Sequence, residues 1–217
     1  MPLPGLVFRL TRQQHPPLGG FRADHPELSI EPLLLATGRG ERCSAVLEAG
    51  QHAVVLGDGK LGLLVAQVLA TTGAKVLAVG RHPEKLGILE ARDIETRLAS
   101  DFDPSSSQQP LADLVVDATG SSDSLTQAIA ATRPRGTLAL KTTVAEDHQV
   151  DLGPIVVNEI QLLGSRCGLF EPALEALNSH TVDTSQLIEA TLPLSQAQKA
   201  LERASRRGAL KVLIECG

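Results

Sequence analysis

From residue 52 to residue 165, short apolar runs recur, separated by glycine or polar turns and by stretches with helical spacing. AVVLG (53–57) is a continuous apolar run, the mark of a strand buried on both faces. LGLLVAQVLATT follows as a helix that is apolar almost all round, with Gly73 as its C-terminal stop. KVLAVG (75–80) predicts a second strand, and PEKLGILEAR a helix with Pro83 in its first turn. DIETRL is a weak third strand, followed by the polar loop SDFDPSSSQQP. DLVVDATG (113–120) predicts a fourth strand, and SSDSLTQAIAATR a helix capped by Ser121, Ser122 or Asp123. GTLALKTT (136–143) and VVNEIQLLGS (156–165) supply the fifth and sixth strands. Repeated strand–helix units of this length predict an α/β fold, a doubly wound six-stranded parallel sheet covered on both faces.

The flanks break the pattern. The first 32 residues hold six of the thirteen prolines and show neither period, so residues 1–50 are expected to be an irregular arm. Residues 51–170 form the expected sheet domain. Residues 171–217 are expected to form a C-terminal helix–strand extension: EPALEALNSH as helix, SQLIEATLPL as short helix and strand, SQAQKALERASRR as amphipathic helix and KVLIEC (211–216) as a last strand.

Composition narrows the function. The net charge is −5 without a basic run, and aromatics are 2%, so a nucleic-acid partner is disfavoured. No apolar run of about 18 residues is present, so a membrane span is not expected. Cys43, Cys167 and Cys216 lack paired spacing, which points to reduced thiols and a cytoplasmic setting. The chain has no Tyr, which excludes a short-chain dehydrogenase mechanism built on a Tyr–Lys pair.

Gly57-Asp58-Gly59-Lys60-Leu61-Gly62 fits G-x-G-x-x-G directly after a strand and at the opening of a helix, the context that marks a Rossmann dinucleotide turn. Gly57 permits the tight turn, Gly59 lets a pyrophosphate approach the backbone, and Gly62 allows close packing of the helix. The helix N-terminus offers N–H groups to phosphate. Lys60 either adds attraction for a phosphate or is simply solvated. The second strand ends in Gly80-Arg81, where an NAD-selective fold carries an acid for the ribose hydroxyls. Loss of the acid and gain of a cation predict NADP(H) over NAD(H), with Arg81 on the 2′-phosphate and Lys85 and His82 nearby. The bland alternative is a solvated helix start. The remaining strand ends nominate Thr119 and Gly120, Lys141 and Thr142 (with Thr143), and Gly164, although the threonines are also ordinary strand-end residues.

VLGDGKLGLLVAQVLATTGAKVLAVGRHPEK, DLVVDATGSSDSL, RPRGTLALKTT and VNEIQLLGSRCG resemble the coenzyme domain of the medium-chain, zinc-type alcohol dehydrogenase-like reductases, and PLSQAQKALERASRRGALKVLIEC resembles that family's closing segment. The resemblance covers about residues 50–216. It implies hydride transfer between a nicotinamide coenzyme and an alcohol or carbonyl substrate, and a homodimer built through the sixth strand. It also shows a departure. The family's N-terminal GroES-like domain, with its zinc ligands, has no counterpart in this sequence, and no zinc is expected in this chain. KVLIEC is therefore expected to lack its usual sheet neighbours, and to pair with an N-terminal segment, dock on another chain or leave an exposed edge. No catalytic residue can be named. A non-catalytic nucleotide-binding module, or a truncated subunit, is the alternative to an oxidoreductase. A methyltransferase reading is opposed by Gly80, where that class wants an acid.

Overall fold

The computed structural model describes residues 6–10, 47–106, 111–141, 150–165, 170–206 and 208–216. These fall into two compact units, one holding residues 47–183 and the other residues 6–10 and 184–216.

The larger unit contains strands β2 (His52–Leu56), β3 (Lys75–Gly80), β4 (Glu95–Leu98), β5 (Ala112–Asp117), β6 (Thr132–Leu140) and β7 (Gln161–Gly164), numbered after β1 (Leu6–Leu10) of the smaller unit. Every pairing is parallel, in the order β4-β3-β2-β5-β6-β7. The order reverses between β2 and β5, which is the doubly wound Rossmann arrangement and places a crevice at their C-terminal ends. Helices α1 (Lys60–Ala70), α2 (Pro83–Glu90) and α3 (Ser124–Ala131) make the crossovers. Shorter α4 (Gly153–Val157) and α5 (Phe170–Asn178) follow.

The centre of the sheet is dry because its strands carry apolar side chains on both faces: Val55, Val115, Val116 and Leu138 have no exposed surface. Leu63, Ala66 and Leu69 of α1 are equally buried. Gln67 is the polar residue within that apolar helix, and it is satisfied twice. Its Nε2 donates to the Asp183 carbonyl (3.1 Å) and its Oε1 accepts the Asp183 N–H (2.8 Å), which anchors the segment after α5.

The sixth strand is shorter than the sequence pattern suggests. Residues 156–165 read as one strand, yet Val156 and Val157 close α4, and only Gln161–Gly164 pairs with β6. Pro154 starts the helix at a position where its missing N–H costs nothing. Glu159, at φ +51°, then turns the chain before the strand. Val156 and Val157 are left 76% and 81% exposed.

The smaller unit corrects a second expectation. Leu6–Leu10, read as part of an irregular arm, is a strand. It runs parallel to β9 (Lys211–Cys216), with Leu6 opposite Val212 and Leu10 opposite Cys216. β8 (Ile188–Pro193) flanks β9 on its other side. The closing strand is thus central in a three-stranded sheet of order β1-β9-β8. Val212 and Ile214 are fully buried with Ala200 and Ala204 of α6 (Ala197–Ala204), and Cys216 packs against the same cluster. Glu189 of β8 accepts from Arg203 of α6 (2.8 Å) and from the Leu210 N–H (3.0 Å). The Arg203 guanidinium holds its carboxyl below the ordinary value, against the opposing effect of burial.

Candidate functional site

The register aligns the strand ends. Leu56 lies opposite Val79 and Asp117, Asp117 opposite Leu140, and Leu140 opposite Gly164. The residues that follow, Gly57, Gly80-Arg81, Ala118 to Gly120, Lys141 and Ser165, therefore share one edge of the sheet. The predicted site residues of the described chain gather there, whereas Thr142 lies outside the described residues.

Three glycines of the turn work differently. Gly57 has φ +112°, and a Cβ on it would lie 2.7 Å from the Ala118 carbonyl oxygen, so the turn presses against the end of β5. A Cβ on Gly62 would lie 1.9 Å from the Gly57 carbonyl oxygen. The close packing expected of Gly62 is thus against the turn rather than the face of the sheet. Gly59 meets nothing within 4 Å. It is also the N-cap of α1, which has no side-chain cap bond and no acid in its first turn. The positive end of α1 faces open space beside a backbone without a side chain, a seat for an anion. Lys60 and Leu61 open this helix, with Leu61 41% exposed.

At the neighbouring strand end, Asp58 reaches across to Gly80. Its Oδ2 accepts the N–H of Arg81 (2.6 Å), the N–H of His82 (2.6 Å) and a bond from His82 Nδ1 (2.9 Å). Burial pushes this carboxyl up, but the peptide donors and the imidazole outweigh it and hold the carboxyl below its ordinary value. A side chain on Gly80 is excluded, since its Cβ would fall 2.5 Å from Asp58 Cβ. Arg81 is exposed, and no bond or ion pair of its guanidinium is found among the described residues. Lys85 is 7% exposed, its stem packed down.

Beyond β5, Asp117 is 1% exposed and organises the turn. Its Oδ1 accepts from Thr119 N (3.0 Å) and Thr119 Oγ1 (2.8 Å), and its Oδ2 accepts from Ser124 Oγ (2.8 Å). The Thr119 hydroxyl is thus engaged with the protein's own turn. Gly120 follows at φ +71° with open space where a side chain would be. The Lys141 ammonium donates to Ser165 Oγ (2.9 Å), bridging the ends of β6 and β7. Asp117 and Ser124 were not singled out from sequence. Their signal is the D-A-T-G-S-S-D-S spacing, which sets a buried acid against hydroxyls two and seven residues on.

A cavity of about 400 Å³ lies elsewhere, at the N-terminal ends of β2, β3 and β4, lined by His52, Lys75, Glu95 and Arg97 among others. The glycine turn does not border it, and the open crevice over α1 is the better anion seat on chemical grounds.

Residues 61–179, more than half of the chain, match the family model described as zinc-binding dehydrogenase. The chain belongs to the zinc-binding dehydrogenases. Within this family it is 27% identical over 197 residues to the 2-dehydro-3-deoxy-L-galactonate 5-dehydrogenase of Pseudoalteromonas atlantica, covering 86% of this chain and 57% of that protein. It is 27% identical over 180 residues to the sorbitol dehydrogenase of Halalkalibacterium halodurans, covering 77% and 52%. The chain spans about half the length of the curated relatives it matches. In fold it is similar to a zinc-binding dehydrogenase structure from Sinorhizobium meliloti solved with NADP, with a TM-score of 0.68 at 22% identity, over 78% of this chain and 53% of that one. The family's name implies a metal. Among the described residues no group of three or more His, Cys, Asp or Glu side chains could hold one, so no chemistry is assigned to zinc here. Also among the described residues, no helix is long and apolar enough to cross a membrane.

Proposed function

We propose that this zinc-binding dehydrogenase chain binds a nicotinamide dinucleotide and orients it for hydride transfer to or from an alcohol or carbonyl carbon. The open space over Gly59, at the uncapped end of α1, carries this reading. The diphosphate sits over the N–H groups of the turn, the adenosine ribose lies toward the end of β3, and the nicotinamide extends along Thr119-Gly120 toward Lys141 and Gly164. The residues supply binding and orientation, and the coenzyme supplies the hydride chemistry when bound.

NADP(H) is the favoured coenzyme, with NAD(H) accepted. The exposed Arg81 beside Gly80, whose guanidinium has no partner among the described residues, supports this, because a planar guanidinium suits a 2′-phosphate. A cytoplasmic setting fits cysteines without paired spacing. A homodimer through the β7 edge is supported by exposed Leu152, Val156, Val157 and Leu162 beside that strand.

A second reading, a nucleotide-binding module without turnover, is supported by Lys141, the charged group at the end of β6, which is engaged with Ser165. Titration with NADPH and NADH by coenzyme fluorescence, then with zinc and a panel of alcohols and aldehydes, separates the two. Binding with turnover supports the oxidoreductase. Binding alone supports the module. Binding of neither coenzyme overturns both.

A further inference from the structure

Gly80 lacks an acid in sequence but not in space. A Cβ built on Gly80 would lie 2.6 Å from Asp58 Oδ2 and 2.8 Å from its Cγ, about the span of two covalent bonds. The carboxylate missing from the end of β3 is therefore delivered from the glycine turn, 22 positions earlier in the chain. The two positions are sterically exclusive: Asp58 fills the volume that a side chain at 80 would occupy.

The hydrogen bonds are unevenly divided between the two oxygens. All three donors end on Oδ2 and fix the carboxylate in place. Oδ1 takes none of them. Among the described residues every fully buried side-chain nitrogen or oxygen has a partner, so Oδ1, which has none, opens to solvent. An ionised oxygen held rigid, with free lone pairs, at the strand end where dinucleotide folds receive the adenosine ribose is an acceptor for a sugar hydroxyl.

We propose that Asp58 is the acid that receives the ribose 2′-hydroxyl of NAD(H), and the residue that opposes Arg81 in setting the ratio of NAD(H) to NADP(H) binding. This deepens the dinucleotide reading above and rests on it. A 2′-hydroxyl donates to Oδ1. A 2′-phosphate has no proton to donate there at neutral pH, and brings negative charge toward a carboxylate while being drawn outward by Arg81. The two side chains pull the preference in opposite directions.

Fluorescence titration with NADH and NADPH tests this on the wild type, on Asp58→Asn, and on the exchange Asp58→Gly with Gly80→Asp, with thermal unfolding as the folding control. In Asp58→Asn, NADH binding weakens about tenfold while NADPH binding holds or tightens, so the ratio moves at least about tenfold toward NADPH. In the exchange, where the acid returns to the strand, NADH affinity comes back to within about threefold of wild type. An equal change for both coenzymes in Asp58→Asn overturns the proposal, leaving Asp58 as a brace for the Arg81-His82 backbone, and so does no change in either. If Asp58→Asn fails to fold, the exchange decides alone: folded protein that binds NADPH but not NADH overturns the proposal. A wild type that binds neither coenzyme overturns the dinucleotide reading itself, an outcome distinct from bound coenzymes whose ratio Asp58 leaves unmoved.

Discussion

Two glycines three positions apart, Gly59 and Gly62, should fail in opposite ways when replaced by alanine. In Gly62→Ala the new methyl group would start 1.9 Å from the Gly57 carbonyl oxygen. That is roughly 1.5 Å short of the ~3.5 Å at which a carbon contact becomes favourable. The obstacle is backbone in a turn pressed against Ala118 on its far side, so α1 must lift. Overpacking of this kind costs about 1–3 kcal/mol, from which the helix preference of Ala over Gly returns up to about 1 kcal/mol. A net loss of about 2 kcal/mol, or a Tm lower by about 4–8 °C, is expected, with coenzyme binding lost as the turn deforms. In Gly59→Ala the methyl group meets nothing within 4 Å, and φ −74°, ψ 172° suits any residue. Stability should stay within about 0.5 kcal/mol of wild type. The methyl would occupy the space assigned to the diphosphate, so affinity should fall at least tenfold, about 1.4 kcal/mol. Thermal unfolding and NADPH titration of both variants read these quantities. A Gly59→Ala protein that binds coenzyme as the wild type does would refute the assignment of that space.

Other consequences follow from the same geometry. Arg81→Ala should weaken NADPH binding about tenfold and leave NADH within about twofold, as read by parallel titrations; equal losses would remove Arg81 from 2′-phosphate recognition. Val156→Glu with Val157→Glu, at positions 76% and 81% exposed, should leave the circular dichroism spectrum unchanged and convert a dimer to a monomer in sedimentation; a wild type already monomeric at high concentration contradicts the proposed β7 interface. Ile214→Ala, which empties a fully buried site between β9 and α6, should lower the stability of the smaller unit by about 2–4 kcal/mol in urea unfolding. Acid should destabilise the chain. Asp58, Glu189 and Asp113, which accepts from the His52 N–H (2.9 Å) and from Arg133 Nε (2.6 Å), are all held below their ordinary values, so each contributes stability that is full above the unfolded-state pKa and is lost as pH falls through the lower folded-state value. The urea midpoint should be flat from pH 7 to about 5 and drop below about pH 4, whereas a rise on acidification would contradict these networks.

The core of the fold is legible because its periods are local. β2 and β3 carry apolar runs bounded by glycines, β5 carries the apolar core LVV, and KVLIEC is a strand over the same residues in sequence and structure. Val156-Val157 misleads because β-branched residues look like strand to a reader of propensity, while Pro154 and the left-handed Glu159 decide the backbone. Leu6–Leu10 is illegible for another reason. Its partner lies about two hundred positions later, and a parallel pairing of that span leaves no local pattern. The glycine turn announces its chemistry through G-x-G-x-x-G, but the place of Asp58 depends on the missing side chain of Gly80. Either residue alone carries no signal, and together they place a carboxylate where neither position would predict one.

The central claim is that a dinucleotide lies over the first strand-to-helix turn, with its adenosine end at Gly80-Arg81. Amide NMR of the isotope-labelled chain, titrated with NADPH, tests it most directly. The account predicts that the largest shift changes fall on Gly59, Lys60, Leu61, Arg81, His82 and Gly120. Changes concentrated instead on His52, Lys75 and Glu95, around the cavity at the opposite ends of the strands, or no changes at saturating coenzyme, would contradict it.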